Sequence, residues 1–520
     1  MASSQLLTIV VIAAYFIVLL GIGYYSSKKI KNASDFILAG RGLGFWAFVL
    51  LMIGTTASGM SILGIAGLGY TGGWPTFWEQ LFVPLSASVC LILFGVKLSA
   101  LTKKRGYMTV EDYFCDRYDS QKSMRLLSTV TAVLVSLIYL TGQYTAIQIV
   151  LKWLIGLNDV ASLIISALIV MSYTLMGGLY AVAFTSMFLG ILMIVGVFWV
   201  CPVIISKVPD FSVILHSINP SMTALFYPAG GKAFFTPMFV LSFAMLITFG
   251  LATAPHIINN VLAVKDRKIF RWSPLTIFIV YFTMIALIKI SGFAVRAMVE
   301  TGVLPPVSTP DAAFIAGVKY VLPDFAWAFV GTIVLAAVMS TTDRLLLTVG
   351  NCVSWDFYKK YLNKNATDKS VQVVNKVTMI VATIVTVLIS INPPKLLAFL
   401  IWAGIGIMFS CFAIPLLGGL YWRRATKAGA IASMSVGFIT SISFAIYDKF
   451  VNPLPFHFSL LSFSCAALVY IFVSIYTKAT PKDLLDATET GFFIRKNNGS
   501  SILGQKNRDN RQKVTADITT

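Results

Sequence analysis

Between Gln5 and Tyr476 the chain strings together apolar runs so closely that little but membrane helices can be built from it. Thirteen runs are predicted as helices: 5–25, 44–70, 76–100, 125–153, 160–176, 186–206, 234–262, 273–297, 323–354, 372–391, 396–420, 428–447 and 457–476. Most reach the roughly 20 residues that a helix needs to cross the hydrocarbon core. Backbone amides in lipid must be satisfied within the segment, so such runs become helices rather than open strands. Hydrophobic residues make up 57% of the chain and charged ones 12%. The fold class is an all-α polytopic membrane protein, not a soluble enzyme.

A net charge of +19 would suggest nucleic acid in a soluble protein. Here the charges sit in alternate loops, and no nucleic-acid partner is expected. Lys28, Lys29, Lys31 and Arg41 follow segment 1, and Lys103, Lys104, Arg105, Arg117 and Lys122 follow segment 3. Lys265, Arg267, Lys268 and Arg271 follow segment 7, and Lys359, Lys360, Lys364 and Lys369 follow segment 9. Arg423, Arg424 and Lys427 follow segment 11, whereas the other loops hold isolated cases such as Lys232, Lys319 and Lys449. The positive-inside rule then puts the N-terminus outside and the C-terminus inside, in the plasma membrane (a cell inner membrane), with some attraction to anionic lipid. Segment 1 has its basic residues after it, the reverse of a secretory signal. Cys90, Cys115, Cys201, Cys352, Cys411 and Cys465 show neither pairing nor metal-ligand spacing and read as packing residues. The sequons at Asn32, Asn365 and Asn498 fall on the inner side and are discounted.

Two segments look broken. Segment 2 reads MIGTTASGMSILGIAGLGYTGG, and segment 7 carries Gly250 and Pro255. A mid-helix proline removes a backbone hydrogen bond, and broken helix is tolerated in lipid only where it lines a cavity or is buried. The two lie five segments apart. Two five-helix halves would be inverted relative to each other, and matching breaks in such halves point to a transporter's midplane site. The expected organisation is residues 1–43, first helix and loop; 44–206, first repeat (segments 2–6); 207–420, second repeat (segments 7–11). Residues 421–476 form two peripheral helices and 477–520 a disordered inner tail.

The stretch LAAVMSTTDR at 335–344 carries polar chemistry inside segment 9. Ala337, Ser340 and Thr341 share a helix face and could offer a carbonyl and two hydroxyls to a small cation. The other reading is local: Thr341 bonds back to the carbonyl of Ala337. Lys289, inside segment 8, is an intramembrane cation that would pair with a carboxylate, snorkel to the interface, or pair with Glu79.

Several segments resemble the sodium/solute symporter family, in its pantothenate and proline branch: TVEDYFCDRY at 109–118, YTLMGGLYA at 173–181, APH at 254–256 with AVKD at 263–266, LAAVMST at 335–341 and LLGGLYWRRATKAGA at 416–430. The resemblance runs from Tyr24 to about Thr477. It implies the leucine-transporter-type 5+5 inverted repeat and sodium-coupled import by alternating access. It places sodium ligands on the carbonyls of Gly54, Ala57 and Ala337 and the hydroxyls of Ser340 and Thr341. It implies a solute pocket among Thr56, Ser58, Ser61, Glu79, Gln80, Gln143, Thr253, His256, Lys289 and Trp402. The implied partners are sodium, a small organic solute and the bilayer. A carboxylate-bearing solute is favoured: pantothenate, a short monocarboxylate or an amino acid.

Four residues, in three departures, leave the pattern. Ser186 stands where some members hold the Asp of a second sodium site, while Asp343 stands where they hold a hydroxyl. Asp343 is either a relocated acid serving a second ion or proton, or is neutralised by Arg344 or another base. Thr56 occupies a position that is acidic in the proline branch, and Asn260 one that often holds Arg. The alternatives are a proton-coupled or uncoupled permease of the same fold and a transporter-fold sensor. The short tail speaks against a sensor, and no catalytic dyad speaks for an enzyme.

Overall fold

The computed structural model describes residues 2–58, 60–227, 236–391 and 397–488. Among these, ten helices are long and apolar enough to cross a membrane, or twelve when each of two bent pairs counts as one span. In chain order they are α1 (Ala2–Ser27), α2 (Phe45–Thr56), α3 (Ser61–Gly72), α4 (Trp74–Arg105), α5 (Ser123–Ile155), α6 (Asp159–Ser206) and α7 (Pro237–Leu251). There follow α8 (Pro255–Leu262), α9 (Ser273–Glu300), α10 (Ala326–Leu362), α11 (Asp368–Ser390), α12 (Ile401–Tyr421), α13 (Lys427–Phe450) and α14 (Ser459–Tyr476).

Both expected breaks are present. The α2–α3 pair bends by 70° and the α7–α8 pair by 42°. The first follows from Ala57, whose extended backbone (φ −74°, ψ 116°) ends the helix. The second follows from Pro255, which starts α8 because its ring cannot continue α7.

Segments 5 and 6 differ from expectation. The chain stays helical from Asp159 to Ser206, and Gly178 (φ +49°, ψ −142°) is its one non-helical residue. A Cβ there would lie 2.6 Å from the Phe36 carbonyl oxygen, on the short helix Ala33–Leu38. The glycine therefore serves both the backbone angle and the close approach. Another difference lies in the expected disordered tail, where Lys482–Thr488 is helical and Asp486 pairs with Arg423 at 3.0 Å. Residues 489–520 of that tail lie outside the described residues.

The most apolar stretch of α10 is wholly buried, and α10 packs against α1, α2, α5, α6 and α11. It is the spine of the bundle. α13 and α14 pack on each other and against α12. Large apolar side chains such as Leu388, Ile439 and Leu468 are more than half exposed, the pattern of helices whose outer faces meet lipid. The loops expected on one side do meet. Lys103 Nζ donates to the Lys265 carbonyl (2.7 Å), Arg41 to that of Tyr107 (3.1 Å) and Lys427 to that of Asp119 (3.3 Å). We call this the basic end. Leu43 also exchanges backbone hydrogen bonds with the Ala263–Lys265 strand segment (3.2 and 3.0 Å).

α3 and α9 touch backbone to backbone. A Cβ on Gly69 would sit 2.7 Å from the Lys289 carbonyl oxygen, and one on Gly292 would sit 2.2 Å from that of Ala66.

Candidate cation and solute site

The last four carbonyls of a helix have no partner within it. For α2 these belong to Gly54, Thr55, Thr56 and Ala57. In a continuous span the next turn would take them up; the break leaves them to side chains. Ser340 Oγ donates to the Gly54 carbonyl at 2.8 Å and to its own Ala337 carbonyl at 3.0 Å. Thr341 Oγ1 lies 3.2 Å from the Gly54 and 3.4 Å from the Thr55 carbonyl, and bonds that of Ala57. The Thr56 carbonyl accepts from Tyr281 on α9 at 3.0 Å. Gly54, Ala57, Ala337, Ser340 and Thr341 are thus brought together, all buried within the bundle. The local reading fails for Thr341, whose hydroxyl crosses to α2 instead of returning to Ala337. Five neutral oxygens in one place fit a hard monovalent cation, which needs little charge compensation.

The solute candidates divide. Ser58 N–H donates to Ser61 Oγ (3.0 Å), and Ser61 Oγ pairs with the Tyr281 hydroxyl (3.0 Å), so these line the break with Tyr281. Thr56 and Thr253 hydroxyls are turned back on their own helices, to Met52 (2.9 Å) and Phe249 (2.8 Å). Gln80 and Lys289 are fully buried. With its amide oriented to suit its neighbours, Gln80 donates to the Ile285 carbonyl (3.2 Å) and accepts from Lys289 Nζ (3.3 Å). Lys289 is therefore held inside and does not snorkel. The Glu79 side chain lies outside the described residues. Gln143 is buried on α5, and Trp402 is buried edge-on to Phe243 at 4.9 Å. His256, at the start of α8, is buried beside Tyr139 (5.5 Å between rings), with no hydrogen-bond partner at either ring nitrogen.

Asp343 and Arg344 are both fully buried. Asp343 Oδ2 accepts from Tyr173 (3.1 Å) and Thr185 (3.4 Å) on α6, and its Oδ1 has no partner; nor has the Ser186 hydroxyl. Arg344 Nε donates to the His256 carbonyl at 3.0 Å.

Sequence reasoning missed two features. Tyr281 is one, because a tyrosine in an apolar helix carries no signal of which way it faces. The other is a buried ionic clamp at the basic end. Arg125 Nη1 bridges Asp112 (3.0 Å) and Asp356 (2.6 Å), Thr109 donates to Asp356 (3.0 Å), and Val110 N–H donates to Asn259 on α8 (2.9 Å). Beside it lies Glu111, whose Oε1 is 3.8 Å from the Cys352 sulfur. Burial pushes the Glu111 carboxyl up to about 7. The TVEDYF run was legible as a marker, but its partners come from α5, α8 and α10, far away in sequence.

Residues 36–437 match the sodium:solute symporter family. The chain is 28% identical over 447 residues to the osmoregulated proline transporter OpuE of Bacillus subtilis, covering 83% of this chain and 87% of that one. It is 26% identical over 488 residues to sodium/proline symporter 2 of Staphylococcus saprophyticus, covering 91% and 93%. Its fold is similar to that of a sodium-coupled sialic acid symporter solved in a substrate-bound outward-open state, with a TM-score of 0.76, 18% identity and coverage of 91% and 99%. With a matching family across most of its length and broken spans where that family's expected site lies, the chain belongs to the sodium:solute symporter family, sodium-coupled transporters of small solutes, and is a multi-pass plasma-membrane protein.

Proposed function

We propose that the protein imports a small carboxylate-bearing solute together with sodium, by alternating access of an inverted-repeat bundle. The observation that carries this is the convergence of Gly54, Ala57, Ala337, Ser340 and Thr341 at the α2 break. The relatives named above as proline transporters are consistent with an amino acid or similar acid, although Thr56 departs from the proline branch. Arg344 is a fully buried cation whose Nη1 and Nη2 have no hydrogen-bond partner among the described residues, and a solute carboxylate would neutralise it. Counting the 48 residues of α6 as two crossings raises the twelve spans to thirteen, which would put the N-terminus outside and the basic end inside.

Energetically one sodium suffices for uphill uptake. For a net-neutral solute, a cation crossing about 100 mV contributes roughly 2.3 kcal/mol, and a tenfold sodium gradient adds roughly 1.4 kcal/mol; a monoanion moving with one sodium carries no net charge and keeps only the gradient term. A second reading, favoured by the unpartnered Asp343 Oδ1 beside α6, adds a second cation or a proton at Asp343. The test is uptake of labelled proline, pantothenate and short monocarboxylates into proteoliposomes, with and without an inward sodium gradient. Uptake that ignores sodium for every transported solute sinks the proposal.

A further inference from the structure

Asp343 and Arg344 are neighbours in sequence, yet they face different surroundings. Consecutive residues project about 100° apart around a helix. The Asp343 carboxylate is taken by Tyr173 and Thr185 on α6, whereas Arg344 reaches the first turn of α8. Among the described residues Arg344 Nη1 and Nη2 have no hydrogen-bond partner, although the side chain is fully buried. Most of its N–H donors are therefore unsatisfied, and no carboxylate lies within ion-pair distance among the described residues. The neighbouring His256 ring has both nitrogens unpartnered. The same spot is the N-terminal end of α8, whose dipole favours an anion, although the Ile257 and Ile258 N–H groups already donate to the Ala254 carbonyl (both 2.9 Å).

The position of this unsatisfied cation is informative. Ala337, Ser340, Thr341 and Arg344 follow the i, i+3, i+4, i+7 spacing of one helix face. Arg344 lies about 4.5 Å further along the α10 axis than Thr341. A sodium ion at the five oxygens and a guanidinium on the next turn of the same face would repel each other in a low-dielectric interior. A carboxylate seated between them replaces one repulsion with two attractions.

We propose that Arg344, with His256 and the start of α8, anchors the carboxylate of the transported solute one turn from the cation ligands, so that sodium and solute each tighten the other's binding. This rests on the reading of the protein as a sodium-coupled carboxylate importer. It assigns the anchor to Arg344 rather than to Lys289, which is already held by Gln80. Coupling by this route is reciprocal, and no lone solute or lone sodium would load the site well.

The test uses the full chain in nanodiscs, with methanesulfonate as the background anion and acetate as the probe. Acetate should tighten binding of radiolabelled sodium to the wild type by at least about fivefold, the low end of ordinary coupling between sites, and uncharged acetamide should not. Arg344→Gln should bind sodium at least as tightly as the wild type but ignore acetate, and Arg344→Lys should recover part of the effect. An equal acetate effect in Arg344→Gln, or none in a wild type that binds sodium, overturns the proposal. Chloride that reproduces the whole effect through Arg344 marks an inorganic-anion site and overturns the carboxylate assignment. Protection of the wild type by acetate against thermal unfolding, measured without sodium and lost in Arg344→Gln, supports the anchor even if sodium binding itself fails. That last failure would count against sodium coupling and not against Arg344.

Discussion

The hydroxyl of Ser340 lies 2.8 Å from the carbonyl oxygen of Gly54, so the spine helix and the broken span are joined where helix geometry leaves a carbonyl spare. Removing that hydroxyl removes an oxygen from the proposed cation shell. Ser340→Ala or Thr341→Ala should raise the sodium concentration for half-maximal uptake by about tenfold to a hundredfold, since a hydrogen bond to a charged group is worth roughly 1.5–3 kcal/mol. Thr341→Ser should stay within a few-fold of wild type. Sodium titrations of initial uptake rate decide it, and an unchanged half-saturation in Ser340→Ala would remove that residue from the shell.

Asp343→Asn tests the second reading. If Asp343 carries a second cation or a proton, the charge moved per solute should fall by one elementary charge in the variant. Simultaneous current and flux measurements read this ratio. The same ratio and the same ion dependence in both proteins would leave Asp343 a structural residue.

If Lys289 met the solute carboxylate directly, Lys289→Ala would abolish uptake of an anionic solute while sodium binding persisted; with Arg344 as the anchor, uptake should weaken but persist. The substitution leaves Gln80 with an unsatisfied buried amide oxygen, so Lys289→Met alongside Gln80→Leu, which removes both polar groups, separates packing from charge. Wild-type uptake in either variant would take Lys289 out of the site.

Glu111→Gln should stabilise the protein above neutral pH. Burial holds the Glu111 carboxyl up to about 7 in the fold, against an ordinary value near 4.3 when unfolded. The neutral acid is thus the form the fold favours. Its contribution is fully present below the unfolded value and is lost as pH rises through the folded one. The variant and wild type should match near pH 4 and diverge through pH 7, by roughly 4 kcal/mol at about 1.4 kcal/mol per pKa unit. Melting temperatures across that range measure it, and parallel curves would contradict it.

Gly292→Ala should cripple the protein through packing alone. The new methyl would meet the Ala66 carbonyl at 2.2 Å, and backbone cannot rotate away as a side chain can. A loss of about 1–3 kcal/mol is expected from such overpacking, visible as a lower melting temperature. An unshifted melt would mean that α3 and α9 separate more easily than their contact suggests.

Much of this was legible in the sequence. The spans could be read because lipid demands long apolar runs, and both breaks because glycine clusters and Pro255 interrupt them. The cation face of α10 was visible from spacing, and the resemblance supplied the α2 partners. What could not be read was direction. Thr341 could as well have bonded its own helix. Asp343 and Arg344 could be read as a pair, whereas their hydrogen bonds run to different helices. Tyr281 and the Arg125 clamp depend on which distant helices meet, and no local pattern encodes that.

The clamp bears on timing. One short helix, Val110–Arg117, meets α8 through Asn259, while Asp112 with the adjoining Thr109 meets α5 and α10 through Arg125 and Asp356. A cycle that parted α5 from α10 at that end would break the Arg125–Asp356 pair, and breaking such a buried pair costs about 3–5 kcal/mol. An opening that had to break this pair would favour a rest state shut at the basic end. Delivery of the cargo, more than its capture, would then set the pace of the transport cycle.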